Sequence, residues 1–248
     1  MSTMPDETSR DADSWAKPVT KLHIDDVPDG ATNINVDGRR LTSPIQGFGK
    51  MWQKTYSVRI PSAVASPQEL IATWKAHFPE FWPAGNRFYG PLTGVAPGDV
   101  ALLSMTLPGG MKLSTGVMVL YADERSFTLM TPQGHMFAGW ITFSAEQVGD
   151  QTVAQAQVLM RASDPIYEIG LTLGGHGQED IFWNRTLTNL TARFDHEGDV
   201  ETSVVCVDRR RQWSRWTNVW QSAAIRSTVY SAGAPGRRLR GRRRGARP

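Results

Sequence analysis

Five histidines, at positions 23, 77, 135, 176 and 196, are the first residues in this 248-residue chain whose chemistry invites a functional reading. His135 leads because it follows Gly134 in a turn and precedes a strand-like run. An imidazole there can donate a hydrogen bond to a ligand, or take up a proton near neutral pH. The plain alternative is a turn histidine that satisfies nearby backbone groups. Acid–base work needs an orienting partner; Asp123, Glu124 and Glu146 are available, and spacing singles out none of them. The other histidines show no His-x-x-x-His pattern and no carboxylate spacing of a metal site. Cys206 stands alone, which excludes an intrachain disulfide and a cysteine-based cluster. No metal and no cofactor is expected. Gly-x-Ser-x-Gly and Walker-type loops are missing, so nucleophilic hydrolysis and nucleotide binding lack support. Gly109-Gly110 and Gly174-Gly175 read as a turn and a helix C-cap.

A second set is apolar. Met105, Met111, Met118, Met130, Met136 and Met160 fall in or beside strand-like runs, with Tyr121 and Trp140 among them. Methionine adapts to irregular apolar shapes and is over-used on promiscuous binding surfaces. On a sheet that faces a long helix, such residues line either a hydrophobic ligand cavity or a filled core. The residues expected at a cavity are Trp74, Phe78, Met105, Met118, Tyr121, Trp140, Met160 and Trp183, with His135 as the polar contact.

A third set is charged. The formal charge of +3 hides a division of the chain. From Arg209 onward there are 12 arginines and no Asp or Glu, which leaves 15 of the 27 basic residues against all 24 acids, a formal −9 before that point. Anion-binding residues are expected at Arg209, Arg210, Arg211, Arg215, Arg242, Arg243 and Arg244. Such density favours polyanions, with salt-dependent phosphate contacts. Trp213, Trp216 and Trp220, at i, i+3 and i+7 of a basic helix over 209–231, equally suit an anionic membrane surface. The plain alternative packs the tryptophans on the domain or on a second subunit.

The elements that position these residues follow from pattern. Residues 1–20 are polar and acidic and read as disordered, and 21–50 read as an extended arm. Tyr56, Val58 and Ile60 alternate with polar neighbours, as a strand with one buried face does. Ser66-Pro67-Gln68-Glu69 is a capping box that opens a helix carrying Leu70 and Trp74, and Pro79 and Pro83 stop it. A loop rich in Pro, Gly and aromatics spans 78–98. Strands are expected over 100–107, 111–121, 127–130, 137–146 and 152–161; links this short imply antiparallel hairpins. Ser163-Asp164-Pro165 caps a short helix that ends near Gly174, and a longer one follows over 178–194. In it Trp183, Leu187, Leu190 and Phe194 form one apolar stripe. A further strand is expected over 200–207, and the Arg-rich stretch 232–248 reads as disordered. The class is α+β.

The order of strand, capped helix, antiparallel strands and long C-terminal helix resembles the START-like, or SRPBCC, superfamily, also called Bet v 1-like or polyketide cyclase-like. Tyr56-Ser57-Val58-Arg59-Ile60-Pro61 and Ser66-Pro67-Gln68-Glu69-Leu70 look like its first strand and helix. Within it, Val95-Ala96-Pro97-Gly98-Asp99-Val100, Thr131-Pro132-Gln133-Gly134-His135 and Arg161-Ala162-Ser163 are similar to an uncharacterised bacterial START-like family, a domain of unknown function. The resemblance implies a helix-grip over residues 51–196, a curved antiparallel sheet wrapped around a long C-terminal helix with a cavity between them. Residues 197–231 lie beyond it as a strand and a basic, Trp-containing helix. It implies a module for a small hydrophobic or amphipathic ligand. One alternative is an enzyme of cyclase, aromatase or dehydratase type using the same cavity. Another is an interaction protein whose basic tail meets nucleic acid or an anionic membrane. With no apolar leader at Met1–Ala16 and no apolar run of membrane-spanning length, a cytoplasmic location is expected.

Overall fold

The computed structural model describes residues 12–90, 95–107, 110 and 112–232. Eight antiparallel strands form one curved sheet in the order β2-β3-β4-β5-β6-β7-β1-β8. They are β1 (Met51–Pro61), β2 (Arg87–Tyr89), β3 (Val100–Thr106), β4 (Lys112–Ala122), β5 (Ser126–Met130), β6 (Phe137–Val148), β7 (Gln151–Ala162) and β8 (Glu201–Asp208). Strands β3 to β7 follow one another as a meander, and β7 then pairs with β1 along its full length, from Met51↔Arg161 to Pro61↔Gln151. That closing pair is the long-range step that bends the sheet.

Helix α1 (Pro67–Ala76) begins as its capping box requires: Glu69 N–H donates to Ser66 Oγ (3.3 Å), and Ser66 N–H donates to Glu69 Oε2 (2.9 Å). Asp164 caps α2 (Pro165–Gly170) by accepting the amides of Ile166 and Tyr167. One wide turn at Leu171–Gly175, with Gly174 at φ +115°, leads into α3 (His176–Ala192), which lies in the concavity of the sheet. A curved antiparallel sheet closed on a long helix is the helix-grip architecture expected from the sequence. No helix among the described residues is long and apolar enough to cross a membrane.

Three departures from the sequence reading have physical causes. Residues 12–20 were expected to be disordered, yet Trp15 bridges to Tyr121, their rings 4.8 Å apart, and Ala16 N–H donates to Leu120 O. One indole against the outer face of β4 holds that segment. Residues 12–50 then cover this face, where Leu22 and Val36 pack on Leu102 and Met118. The 78–98 loop contains β2, paired with β3 because Phe88 packs on Phe78 and Trp82. The expected basic helix over 209–231 is a 3₁₀ segment (Trp213–Gln221) followed by α4 (Ala223–Ala232). Asn218 binds the body of the protein, and Arg215 and Gln221, three residues to either side, line the recess beside it, as three residues per turn allow.

Beyond residue 196 the chain rejoins the domain. Strand β8 extends the sheet beside β1, and α4 lies against β4, where Ser227 meets Asn35 and Ser114. The expectations for Met111 and residues 233–248 lie outside the described residues.

Candidate functional site

Between sheet and α3 the interior is filled with rings. Trp74, Phe78, Phe127 and Phe143 are fully buried. Phe127 and Phe143 stack at 4.6 Å, Phe78 meets both edge-on at 5.4 and 5.2 Å, and Trp74 and Trp183 reach Phe143 at 5.0 and 5.5 Å. Of the residues expected at a cavity, Trp74, Phe78 and Met160 belong to this cluster, with Met105 and Trp183 packed at its margin. Three others do not join it. Met118 belongs to the outer cluster with Leu22 and Val36, and Tyr121 faces outward onto Trp15. Trp140 alternates with Ile141 of the inner cluster and so points to the outer face of β6.

His135 lies in the β5–β6 turn, 5% exposed. Its Nδ1 accepts the amide of Phe137 (3.0 Å), and burial pushes its pKa down to about 4. Asp123 is occupied in its own hairpin, accepting the amides of Arg125 and Ser126 and the Tyr121 hydroxyl. Two recesses stand out at the surface, one of about 70 Å³ beside Gly134, Arg215 and Asn218, the other of about 330 Å³ between Pro67, Arg125 and Glu146. Neither lies between the sheet and α3.

The chemistry gathers instead where α3 begins. Along β1 the side chains of Lys54, Tyr56, Val58 and Ile60 all point inward and are wholly buried. Lys54 Nζ donates to Asp180 Oδ1 (2.7 Å) and to the His176 carbonyl (3.2 Å), and it pairs with Glu179 Oε2 at 3.0 Å. The Tyr56 hydroxyl donates to the same Asp180 oxygen (2.7 Å). A buried ammonium requires such neutralisation, because desolvation of an unpaired charge costs several kcal/mol by general estimate, ~5 or more.

Not every group is satisfied. Glu179 Oε1 and His176 Nδ1 are buried without a hydrogen-bond partner among the described residues. Burial raises the Glu179 pKa to about 7, against the pull of Lys54. Burial also lowers His176, helped by Lys54 and opposed by Asp180 and Glu168. Burial, with Glu179 next, raises the Tyr56 phenol, so it stays a donor. Trp52 stands edge-on to the His176 ring at 4.9 Å, while Asp180 and His176 are only half-buried. The cluster therefore joins the aromatic interior to solvent.

A second polar layer adjoins it. Arg161, 2% exposed, donates through one terminal nitrogen to the carbonyls of Gly49 (2.6 Å) and Arg210 (2.8 Å), and it pairs with Asp208. The buried Glu168 accepts from Arg211 Nε at 2.9 Å. Arg211 thus serves an internal pair with Glu168, while Arg215 is exposed at the rim of the small recess. Arg209 and Arg210 are exposed, and Arg242, Arg243 and Arg244 lie outside the described residues. Among the described residues no three His, Cys, Asp or Glu are grouped as metal ligands would be.

The sequence reading missed Lys54, Tyr56, Glu179 and Asp180 as a site. A signal was present: the two-residue period of Tyr56, Val58 and Ile60 extends back to Lys54, and the stripe of Trp183 and Leu187 extends back to Glu179. A charge on each buried face is the mark of a paired interior site.

No family model matches the sequence, and no curated protein matches it. Several solved structures are similar at low identity. The di-domain ARO/CYC StfQ from the steffimycin biosynthetic pathway matches 58% of this chain at 12% identity with a TM-score of 0.43. The chain spans about half (51%) of that protein's length. A conserved protein from Geobacillus kaustophilus matches 60% of this chain and 99% of its own at 9% identity, TM-score 0.45. Ginseng major latex-like protein 151 from Panax ginseng matches 59% and 99% at 12% identity, TM-score 0.38.

Proposed function

We propose that this helix-grip protein binds a small amphipathic molecule at the open end of the sheet–helix interior. The polar end of the ligand faces Lys54, Glu179 and His176, and its apolar part meets Trp52 and Trp183. The observation that carries this reading is the pair of buried, unpartnered acceptor and ring-nitrogen atoms, Glu179 Oε1 and His176 Nδ1, beside a neutralised buried lysine. Buried polar atoms are nearly always satisfied, and a ligand group or water is the ordinary partner of those that are not. Because Trp74, Phe78 and Phe143 fill the interior, the ligand sits at the mouth and displaces few side chains. Native mass spectrometry of the protein from its own source tests this. A co-purifying small molecule is expected in wild type, reduced at least tenfold in Glu179→Gln. A wild-type protein without an adduct counts against the reading.

One observation favours a second reading, an enzyme of cyclase, aromatase or dehydratase type. A carboxyl whose pKa is raised to about 7, next to a half-exposed imidazole, is suited to move a proton at neutral pH. In that reading Glu179 takes the role expected of His135, whose Nδ1 already serves the Phe137 amide. Turnover that survives Glu179→Gln would exclude it.

A further inference from the structure

The 3₁₀ segment 213–221 is mounted inside out. At three residues per turn, Arg215, Asn218 and Gln221 fall on one line, and this polar line faces the protein. Asn218 donates to the carbonyls of Gln46 (2.9 Å) and Ser163 (2.8 Å), and Arg215 and Gln221 line the same recess beside Gly134. Flanking amides complete the attachment: Gln212 N–H donates to Phe48 O and Ala223 N–H to Gly134 O. The apolar side is turned to solvent. Trp213, Trp216 and Trp220 are 70%, 52% and 76% exposed, although Trp213 touches Phe48 with one ring edge. Ile45, which adjoins the docked Gln46, and Ile169 of the neighbouring α2 are exposed as well. A segment packed for its own stability would bury its indoles and expose its amides. Hydrogen bonds to backbone carbonyls instead hold the indoles outward as a fixed display.

We propose that this display is a docking surface for an anionic lipid bilayer. Indole rings settle at the headgroup boundary, and flanking arginines meet lipid phosphates. The charge division of the chain fits that occupant. Residues from Arg209 onward hold 12 arginines and no acids, while the preceding body, at a formal −9, is repelled by an anionic surface. Approach therefore occurs with the tryptophan face leading. Nucleic acid would engage the arginines, but it gives exposed Ile45 and Ile169 no partner, whereas the acyl boundary does.

The test is flotation of the full chain with vesicles of phosphatidylcholine and phosphatidylglycerol (7:3) and with phosphatidylcholine alone. The anionic vesicles are expected to bind at least tenfold more tightly. W213S/W216S/W220S is expected to lose at least tenfold of that affinity, with its melting temperature unchanged because the side chains are exposed. If the triple variant melts early, W220S alone, at the most exposed position, supplies the readout. The proposal is overturned by vesicle affinity that ignores the tryptophans, or by no vesicle binding at low salt. It is equally overturned if the substitutions abolish only binding to a single-stranded oligonucleotide, or only self-association in sedimentation velocity.

Discussion

Replacing Glu179 with Gln should make the protein more stable at pH 8 while changing little at pH 5. The carboxyl is buried beside Lys54, and its pKa is raised from 4.5 to about 7. A raised carboxyl pKa means that the folded state holds a proton that the unfolded state has already released. Stability attributable to this group is therefore full below pH 4.5 and falls as pH rises through 7. Integrating the linkage relation with these two values gives a loss of about 1 kcal/mol at pH 5 and about 3 at pH 8. Gln keeps the shape and does not titrate. The stability difference between variant and wild type should then shift by about 2–3 kcal/mol in favour of Gln between pH 5 and pH 8. Urea denaturation of both proteins at the two pH values measures it. A shift under about 0.5 kcal/mol, or one of opposite sign, refutes the reasoning. The opposite sign would mean that Lys54 holds Glu179 ionised and that the pair is purely structural.

Two further outcomes are expected. His135 is buried with its pKa pushed down to about 4 from 6.5, so the unfolded chain takes up a proton that the folded state refuses, and stability falls as pH drops from 6.5 to 4. In His135→Gln that acid slope should vanish, which narrows the gap to wild type by about 3 kcal/mol between pH 7 and pH 4; parallel slopes would show the ring to be open to protonation in the fold. Gly134 adopts φ +86°, and a Cβ there would lie 2.0 Å from the Gln221 carbonyl oxygen. Gly134→Ala should cost about 2–4 kcal/mol and speed tryptic cleavage at Arg209–Arg215 severalfold by releasing the docked segment, and unchanged cleavage would show that the segment is held elsewhere.

Local chemistry was legible in the sequence where a short pattern decides it alone. The capping box at Ser66–Glu69 and the hairpins from β3 to β7 formed near the expected boundaries, because caps and tight turns act over a few residues. The inner face of β1 was legible by parity, but its consequence at Lys54 was not. A lysine in an alternating strand reads as solvated until something supplies its partners, and Glu179 and Asp180 lie more than a hundred residues away. The cavity set failed for a related reason. Met118 and Trp140 sit in sound strands but on the outer face, opposite in parity to Val119 and Ile141, and which parity faces the helix depends on register; for Tyr121 the β4 bulge between Val119 and Tyr121 shifts that register again. The tryptophans of 213–220 have a helical spacing that predicts an apolar stripe. Nothing in that spacing says the chain will spend its polar residues on backbone carbonyls of Gln46 and Ser163 and leave the stripe outside.

The Lys54–Glu179–His176 cluster and the tryptophan face are joined through one short helix. Tyr167 of α2 accepts the Ala224 amide at the start of α4, and Glu168 beside it accepts from Arg211. On its other side the same Glu168 acts electrostatically on His176, and its Oε2 approaches so closely that a Cβ on Gly49 would lie 2.1 Å away. A Gly49 side chain is therefore excluded, and Arg161, bonded to the Gly49 carbonyl, ties β7 to the exit of β8 at Asp208. Arg211 connects the 209–221 segment to Glu168, and the charge of Glu168 acts in turn on His176. If the segment docks on a bilayer, the His176 cluster lies one buried ion pair away from the docked segment. Arg211→Gln separates the two sites: it leaves the indoles in place but removes the guanidinium that neutralises Glu168, so vesicle binding should persist while the pH at which His176 titrates moves up, as followed by its imidazole proton resonances. An unmoved His176 would mean that the two sites share a scaffold and nothing more.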